Sequence, residues 1–291
     1  MVTERGRILK VYNNVLHVAA EDVIILCKLR GKLKKGRSDM GLVPGDLVVF
    51  ERTSPEEGVI EQIEERTNLL QRPRVANLTQ IVITVAAASP DPHPLVVSRF
   101  LVLAELSGVR KIVLCVNKMD LCSGIPEEFL SEYEAAGYPV LRVSAEQGTG
   151  LDELRQYLAG EITVLAGPSG AGKSSLLNAL DPALALATGA VSEKIGRGRH
   201  TTRRAELLPF AGGYVIDTPG FTQQELTEVA PEALAHCFPE FSAHTGCRFT
   251  PCSHSHEPDC AVKAAAAAGA LSRARHDAYL ALLTELQLKR K

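Results

Sequence analysis

The sequence predicts an α/β core built on a parallel-type sheet, with a small β-barrel before it and a metal-stapled helical segment after it. Three observations carry this. Apolar runs of strand length alternate with helix-length stretches between Gln80 and Ile216. From Met1 to Asn68 there are only short strand-like runs split by turn signals. Near the end, Cys247, Cys252, His254 and Cys260 crowd into a stretch punctuated by proline and glycine. With 291 residues, 45% of them hydrophobic, the chain can hold one medium and two small domains. The expected boundaries are residues 1–70, 71–225 and 226–291.

In the first segment the strand-like runs are Gly6–Tyr12, Val15–Val18, Val23–Leu26 and Asp46–Phe50, with turns at Asn13-Asn14 and Val43-Pro44-Gly45-Asp46. Five or so short strands in this length fit an OB-fold barrel. Lys28, Arg30, Lys32 and Lys34 alternate, so an extended strand sets them on one face, followed by Lys35 and Arg37. Such a face serves either as a lysine-protected sheet edge or as a contact for an RNA backbone. Arg72-Pro73-Arg74 reads as a linker into the strand Gln80–Val85.

The core carries the chemistry. Gly167-Pro168-Ser169-Gly170-Ala171-Gly172-Lys173-Ser174, with Ser175 following, is a phosphate cradle between the strand Glu161–Ala166 and the helix Lys173–Leu180. Its glycines let backbone N–H groups face a β-phosphate, Lys173 reaches the β and γ oxygens, and Ser174 can ligate Mg²⁺. Asn117-Lys118-Met119-Asp120 follows the strand Lys111–Val116 and so lies at a strand's carboxyl end, where α/β folds bind ligands. Asp120 offers two acceptors to the N1–H and N2 amine of guanine, a donor pair that adenine lacks. Asn117 is expected to tie this loop to the cradle, and the stem of Lys118 to lie over the base. Ser144-Ala145, after the strand Pro139–Val143, adds a backbone N–H for the guanine carbonyl.

Two segments lie downstream. In Gly196-Arg197-Gly198-Arg199-His200-Thr201-Thr202 a threonine completes the Mg²⁺ shell, Thr202 being preferred to Thr201. In Asp217-Thr218-Pro219-Gly220, after the strand Gly213–Ile216, Asp217 holds the metal through water and Gly220 offers its N–H to the γ-phosphate. The order along the chain is therefore guanine loop, Ser-Ala, phosphate cradle, threonine segment, Asp-Thr-Pro-Gly: a GTPase set, circularly permuted. Because every motif caps the same end of one sheet, such a permutation costs little. Phe221 stands where Ras-like enzymes place a water-orienting glutamine, so that function has to come from elsewhere. His200, two residues before Thr202, is the candidate, against a catalytically idle histidine; Gln223 and Gln224 have the wrong spacing.

The third segment contains three thiols and an imidazole, enough for a closed tetrahedral Zn²⁺ site with no open position, hence structural. His256 is the alternative to His254. Pro231–Phe238, Ala261–Ala268 and Leu271–Leu288 read as helices. Taken together, the permuted order, the Gly-Arg-Gly-Arg-His-Thr-Thr segment and the two flanks resemble the RsgA (YjeQ) family of small-ribosomal-subunit-dependent GTPases over nearly the whole chain. The resemblance implies GTP hydrolysis to GDP and phosphate stimulated by the 30S subunit, a role in late 30S maturation, and contact with 16S rRNA. It also implies His254 as the fourth Zn²⁺ ligand and His200 in catalysis.

A net charge of −2 leaves RNA affinity to local patches. Seven cysteines, an odd number, suit reduced thiols better than a disulfide framework. No signal peptide and no apolar run of about 20 residues is evident, so a cytoplasmic monomer without a membrane partner is expected. A nucleotide-gated RNA-binding module with negligible hydrolysis shares every binding motif, and a P-loop kinase shares the cradle but would tolerate ATP.

Overall fold

The computed structural model describes residues 3–21, 23–30, 41–121, 127–184, 186, 205–217, 226 and 229–289. Its first strands are β1 (Thr3–Tyr12), β2 (Val15–Ala20), β3 (Val23–Leu29), β4 (Leu47–Arg52) and β5 (Glu57–Ile63), closed into a barrel in the order β1-β2-β3-β5-β4. Alternation builds its interior: Ile8, Leu16, Val18, Ile25, Phe50 and Ile60 are fully buried or nearly so. Asn13 and Asn14 both take left-handed backbone, φ 48° and 63°, which suits the twist of a two-residue hairpin. On β3 the outward residues are Ile24, Leu26 and Lys28, and beyond its end Arg30 pairs with Glu61 at 2.5 Å. Lys32, Lys34, Lys35 and Arg37 lie outside the described residues.

The expected linker at residues 72–74 is instead the turn of a two-stranded ribbon, β6 (Leu69–Gln71) with β7 (Arg74–Ala76). It is latched to the barrel. Ala76 N donates to the Pro44 carbonyl at 2.9 Å and Asn77 Nδ2 to that of Gly45 at 3.0 Å. Gly45, at φ 92°, is required there, since a Cβ would lie 2.0 Å from the Ala76 oxygen.

A six-stranded sheet follows: β8 (Gln80–Ala86), β9 (Lys111–Asn117), β10 (Val140–Arg142), β11 (Ile162–Ala166), β12 (Leu208–Phe210) and β13 (Gly213–Asp217), in the order β10-β9-β8-β11-β13-β12. β9 with β10 and β11 with β13 are parallel, while β12 runs antiparallel to β13 at the edge. Every residue of β8 and of β11 is buried, which explains their largely apolar character, Gln80, Thr84 and Thr163 being the polar residues among them. Helices α1 (Pro94–Leu106), α2 (Glu127–Ala135), α3 (Leu151–Leu158) and α4 (Lys173–Leu180) complete the α/β alternation.

The chain forms two compact units, Met1–Gln80 with Arg155–Leu165 and Gly189–Phe221, and Ile81–Leu154 with Ala166–Thr188 and Thr222–Lys291. In the second unit Pro231–Cys237 and Pro239–Ala243 are 3₁₀ turns, not the α-helix expected over 231–238. Pro239 ends the first run, because the residue before a proline is kept out of the α region, and Phe238 sits at φ −120°, ψ 83°. Helices α5 (Ala261–Ala267) and α6 (Arg273–Lys289) follow. Arg275 of α6 is only 1% exposed. Its Nε donates to Glu240 at 2.7 Å and its Nη1 to Ser98 of α1 at 3.0 Å, and its guanidinium carbon lies 4.6 Å from the Phe238 ring centroid. Among the described residues no helix is long and apolar enough to cross a membrane.

Candidate functional site

The phosphate cradle forms where β11 hands the chain to α4. Gly167 leaves the strand at φ 135° against the backbone of Thr84, and a Cβ there would sit 1.9 Å from the Thr84 oxygen. Gly172 opens α4 at φ 86°, where a Cβ would meet Asn117 Nδ2 at 2.3 Å. Only glycine fits either position without displacing its neighbour. Helix α4 has no side-chain cap hydrogen bond, the arrangement in which first-turn amides and the helix dipole serve an anion. Lys173 Nζ folds back over the loop and donates to the carbonyls of Gly167 and Pro168, both at 2.9 Å. Ser169 and Gly170 are exposed, Ala171 is buried, and Pro168, Ser174 and Ser175 are half-buried.

Asn117, at the end of β9 and 1% exposed, joins the segments. Its Nδ2 donates to the Ala171 carbonyl of the cradle at 3.0 Å, and its Oδ1 accepts from the Ala145 N–H at 3.1 Å. The buried Ser144 hydroxyl donates to Asp120 Oδ1 at 2.5 Å and accepts from Gln147 N at 3.0 Å. Met119 N donates to the Val143 carbonyl at 3.2 Å, pinning the 117–120 loop to the 144–145 loop. The structure thus brings together Asn117, Asp120, Ser144, Ala145 and the cradle, segments separated by up to 54 positions in sequence. One side-chain amide thus ties the 167–174 loop to the 144–145 loop, whose Ser144 holds the Asp120 carboxylate.

Sequence reasoning missed the segment after β8. Lys118, at φ 62°, sends its Nζ to the Ser89 carbonyl at 2.5 Å, and Pro90 Cδ lies 3.5 Å from where a Cβ on Gly170 would stand. The segment therefore borders both loops. Ser89-Pro90-Asp91-Pro92 directly after a wholly buried strand was the available signal, because a turn at a central strand's carboxyl end faces the site. Of the downstream residues, Asp217 ends β13 in register with Leu165 of β11. His200, Thr201, Thr202, Gly220, Phe221, Gln223 and Gln224 lie outside the described residues.

The second site is the cluster Cys247, Cys252, His254 and Cys260, whose ligand atoms all lie within 4.8 Å of one another. Cys247 Sγ is 3.8 Å from Cys260 Sγ and 3.7 Å from His254 Nδ1, which is 3.4 Å from Cys260 Sγ. A tetrahedron with Zn–S bonds of about 2.3 Å has edges of about 3.8 Å, so the donor set fits Zn²⁺ through His254 Nδ1. Burial holds the His254 imidazole below its ordinary pKa, favouring the neutral form that ligates metals. His256 is exposed and turned to the Ser255 hydroxyl at 3.0 Å, outside the cluster. Tyr279 OH and His276 Nε2 brace it from α6, at 2.6 Å from the Ser253 carbonyl and 3.0 Å from that of His254. By contrast, burial pushes the thiols of Cys115 and Cys237 up to about 12 and that of Cys27 to about 11, leaving them inert.

Comparison with known proteins places the chain in a family. A family model described as RsgA GTPase matches residues 63–227, and one described as RsgA N-terminal domain matches residues 5–60. A "Small ribosomal subunit biogenesis GTPase RsgA" of Geobacillus kaustophilus is 42% identical over 287 residues, 97% of each chain. The protein of that description from Thermotoga maritima is 41% identical, covering 99% of this chain and 98% of its own. Among solved structures, YjeQ from Thermotoga maritima superposes with a TM-score of 0.84 at 37% identity, covering 98% of this chain and 99% of that one. YloQ, described as a circularly permuted GTPase, gives 0.85 at 33% identity, covering 100% and 96%. The permuted motif order, the closed barrel and the Cys₃His cluster are thus found in a chain that belongs to the RsgA family of GTPases.

Proposed function

We propose that this chain hydrolyses GTP on the 30S ribosomal subunit during its late maturation, contacting 16S rRNA, as a cytoplasmic monomer without a membrane partner. The observation that carries the guanine part is the bridge through Asn117, which holds the Asp120–Ser144 pair and the phosphate cradle in one frame. The ribosomal part rests on the relatives' description and on the two flanks, read as an OB-fold domain over residues 1–70 and a zinc-binding domain over 226–291 around a GTPase domain of 71–225.

In this reading Asp120 accepts from guanine N1–H and the N2 amine, the Ala145 N–H meets the guanine O6, and the stem of Lys118 covers the base. Met119 fills the turn between them. The phosphates take backbone N–H groups of the Gly167–Ser175 loop, to which Pro168 contributes none. Lys173 exchanges the Gly167 and Pro168 carbonyls, which hold it in this structure, for β and γ oxygens. Ser174 and Thr202 would hold a Mg²⁺ that arrives with the nucleotide, Asp217 reaching it through water, and the ion would supply charge screening for the phosphate oxygens. Gly220 N–H senses the γ-phosphate. His200 orients or deprotonates the attacking water; the new P–O bond forms as the bridging bond to the β-phosphate breaks, its electron pair leaving on GDP. Zn²⁺ at Cys247, Cys252, His254 and Cys260 is structural.

The test is multiple-turnover hydrolysis with and without 30S subunits. Stimulated turnover that is lost in His200→Ala, with GTP binding retained, is the expected outcome. A rate unchanged by subunits removes the ribosomal reading, and full stimulation of His200→Ala removes that residue from the mechanism.

A further inference from the structure

Between the first two cluster residues, Cys247 and Cys252, four successive residues face solvent: Arg248, Phe249, Thr250 and Pro251. Phe249 is 44% exposed. Every other described phenylalanine, Phe50, Phe100, Phe129, Phe210, Phe238 and Phe241, is buried or half-buried. The ring is therefore set apart from the way this chain otherwise uses that side chain.

It is also held. Its loop is anchored at both ends by cluster residues, and Arg248 N donates to the Asp259 carbonyl at 3.2 Å. Asp259 Oδ2 accepts from Arg248 Nη1 at 3.1 Å, and the guanidinium carbon lies 5.8 Å from the Phe249 ring centroid. A flat apolar ring is thus steadied by a guanidinium that is itself paired with an exposed carboxylate. The surroundings speak against a protein seat, which needs a contiguous apolar patch. Its exposed neighbours on the loop, Arg248, Thr250 and Pro251, add no other large hydrophobic side chain. An isolated exposed ring held in this way suits a ligand with a flat π face, which is an unpaired nucleobase.

We propose that Phe249, steadied by Arg248, forms a stacking site for a single unpaired nucleobase. The proposal rests on the reading of the chain as a factor that contacts ribosomal RNA, and it locates one such contact. No base-specific hydrogen-bond donor or acceptor stands on the ring, so the site tolerates any base.

The chain contains no tryptophan, so Phe249→Trp supplies a single fluorophore at the site. Full-length Phe249→Trp, with its zinc content measured, is titrated with single-stranded oligoadenylate and, separately, with 30S subunits. Quenching in both is expected, because a base stacked on indole quenches it. A brighter, blue-shifted emission on subunits indicates an apolar protein seat and overturns the proposal, as does an unchanged spectrum with both ligands. Phe249→Ala should weaken oligonucleotide binding about 5- to 150-fold, the span for loss of one stacked base. Phe249→Tyr should bind like the parent and Phe249→Leu like Phe249→Ala; parental affinity in Phe249→Leu refutes stacking. These three variants decide the matter should the tryptophan variant lose zinc. If the parent fails to pellet with subunits while oligoadenylate still quenches, the ribosomal reading fails and the stacking site stands.

Discussion

Replacing Asn117 tests the site at its joint. The side chain is almost wholly buried, and it satisfies the Ala171 carbonyl through Nδ2 and the Ala145 N–H through Oδ1. In Asn117→Ala the Ala171 oxygen, within a fully buried residue, loses its partner at about 1–3 kcal/mol, while the half-buried Ala145 N–H can turn to water and costs about 1 kcal/mol. The total, roughly 2–4 kcal/mol, divides between folding and binding. To the extent that the loops drift apart in the free variant, guanine nucleotide has to draw them back. The ceiling on the affinity loss is therefore about 30- to 1,000-fold.

Asn117→Asp separates this account from a simple packing defect. It keeps the acceptor for Ala145 and most of the volume, yet sets a carboxylate oxygen against the Ala171 carbonyl at the 3.0 Å now spanned by a donor. Two acceptors at that separation repel, so the near-isosteric variant should bind GDP more weakly than Asn117→Ala. Calorimetric titration with GDP, alongside urea unfolding of the free proteins, measures both quantities. The reasoning fails if Asn117→Asp outperforms Asn117→Ala, or if both bind GDP within about twofold of the parent.

Three further outcomes follow from the same structure. Asp120→Asn keeps an oxygen for the Ser144 hydroxyl but turns an acceptor into a donor, so guanine nucleotide affinity should fall about 100-fold or more while xanthine nucleotides gain, as read by competition binding. Arg275→Ala leaves Glu240 buried without its partner and should cost about 3–5 kcal/mol in urea unfolding, whereas Arg275→Met combined with Glu240→Leu should recover much of it. Glu285 is held down to about 2 by its hydrogen bond from Arg99, against a burial effect that raises it. A depressed carboxylate contributes fully above its unfolded value of about 4.3 and loses that contribution as pH falls toward 2. The gap in urea midpoint between the parent and Glu285→Gln should therefore be present at about pH 6, narrow as pH falls below about 4 and nearly close at about pH 2; a gap that stays constant rules out the ion pair as its source.

What could be read in advance divides along a physical line. The cradle, the guanine loop and the Cys₃His set are contiguous or nearly so, and their chemistry demands particular residues at fixed spacing, so Gly167, Asp120 and Cys247 announce themselves in the sequence. Strands β8 and β11 were legible too, since burial on both faces favours apolar residues over most of each run, Gln80, Thr84 and Thr163 excepted. The contacts that escaped are those in which only a backbone atom takes part. Lys118 reaches the carbonyl of Ser89, and any residue at 89 supplies one, so composition carried no mark of that contact. The ribbon at 69–76 escaped for a related reason: its latch is the pair of carbonyls at Pro44 and Gly45, and Arg72-Pro73 looks the same in a linker as in a tight turn. Gly45 is the exception that could have been used. A glycine after proline, forced to φ 92° with no room for a Cβ, marks a close approach by some other backbone, although the sequence does not say which. Arg275 went unread for the opposite reason, because an arginine in an amphipathic helix is ordinarily a solvated charge. Only the arrival of Glu240, Ser98 and the Phe238 ring makes its burial tolerable, and those partners come from three separate parts of the chain.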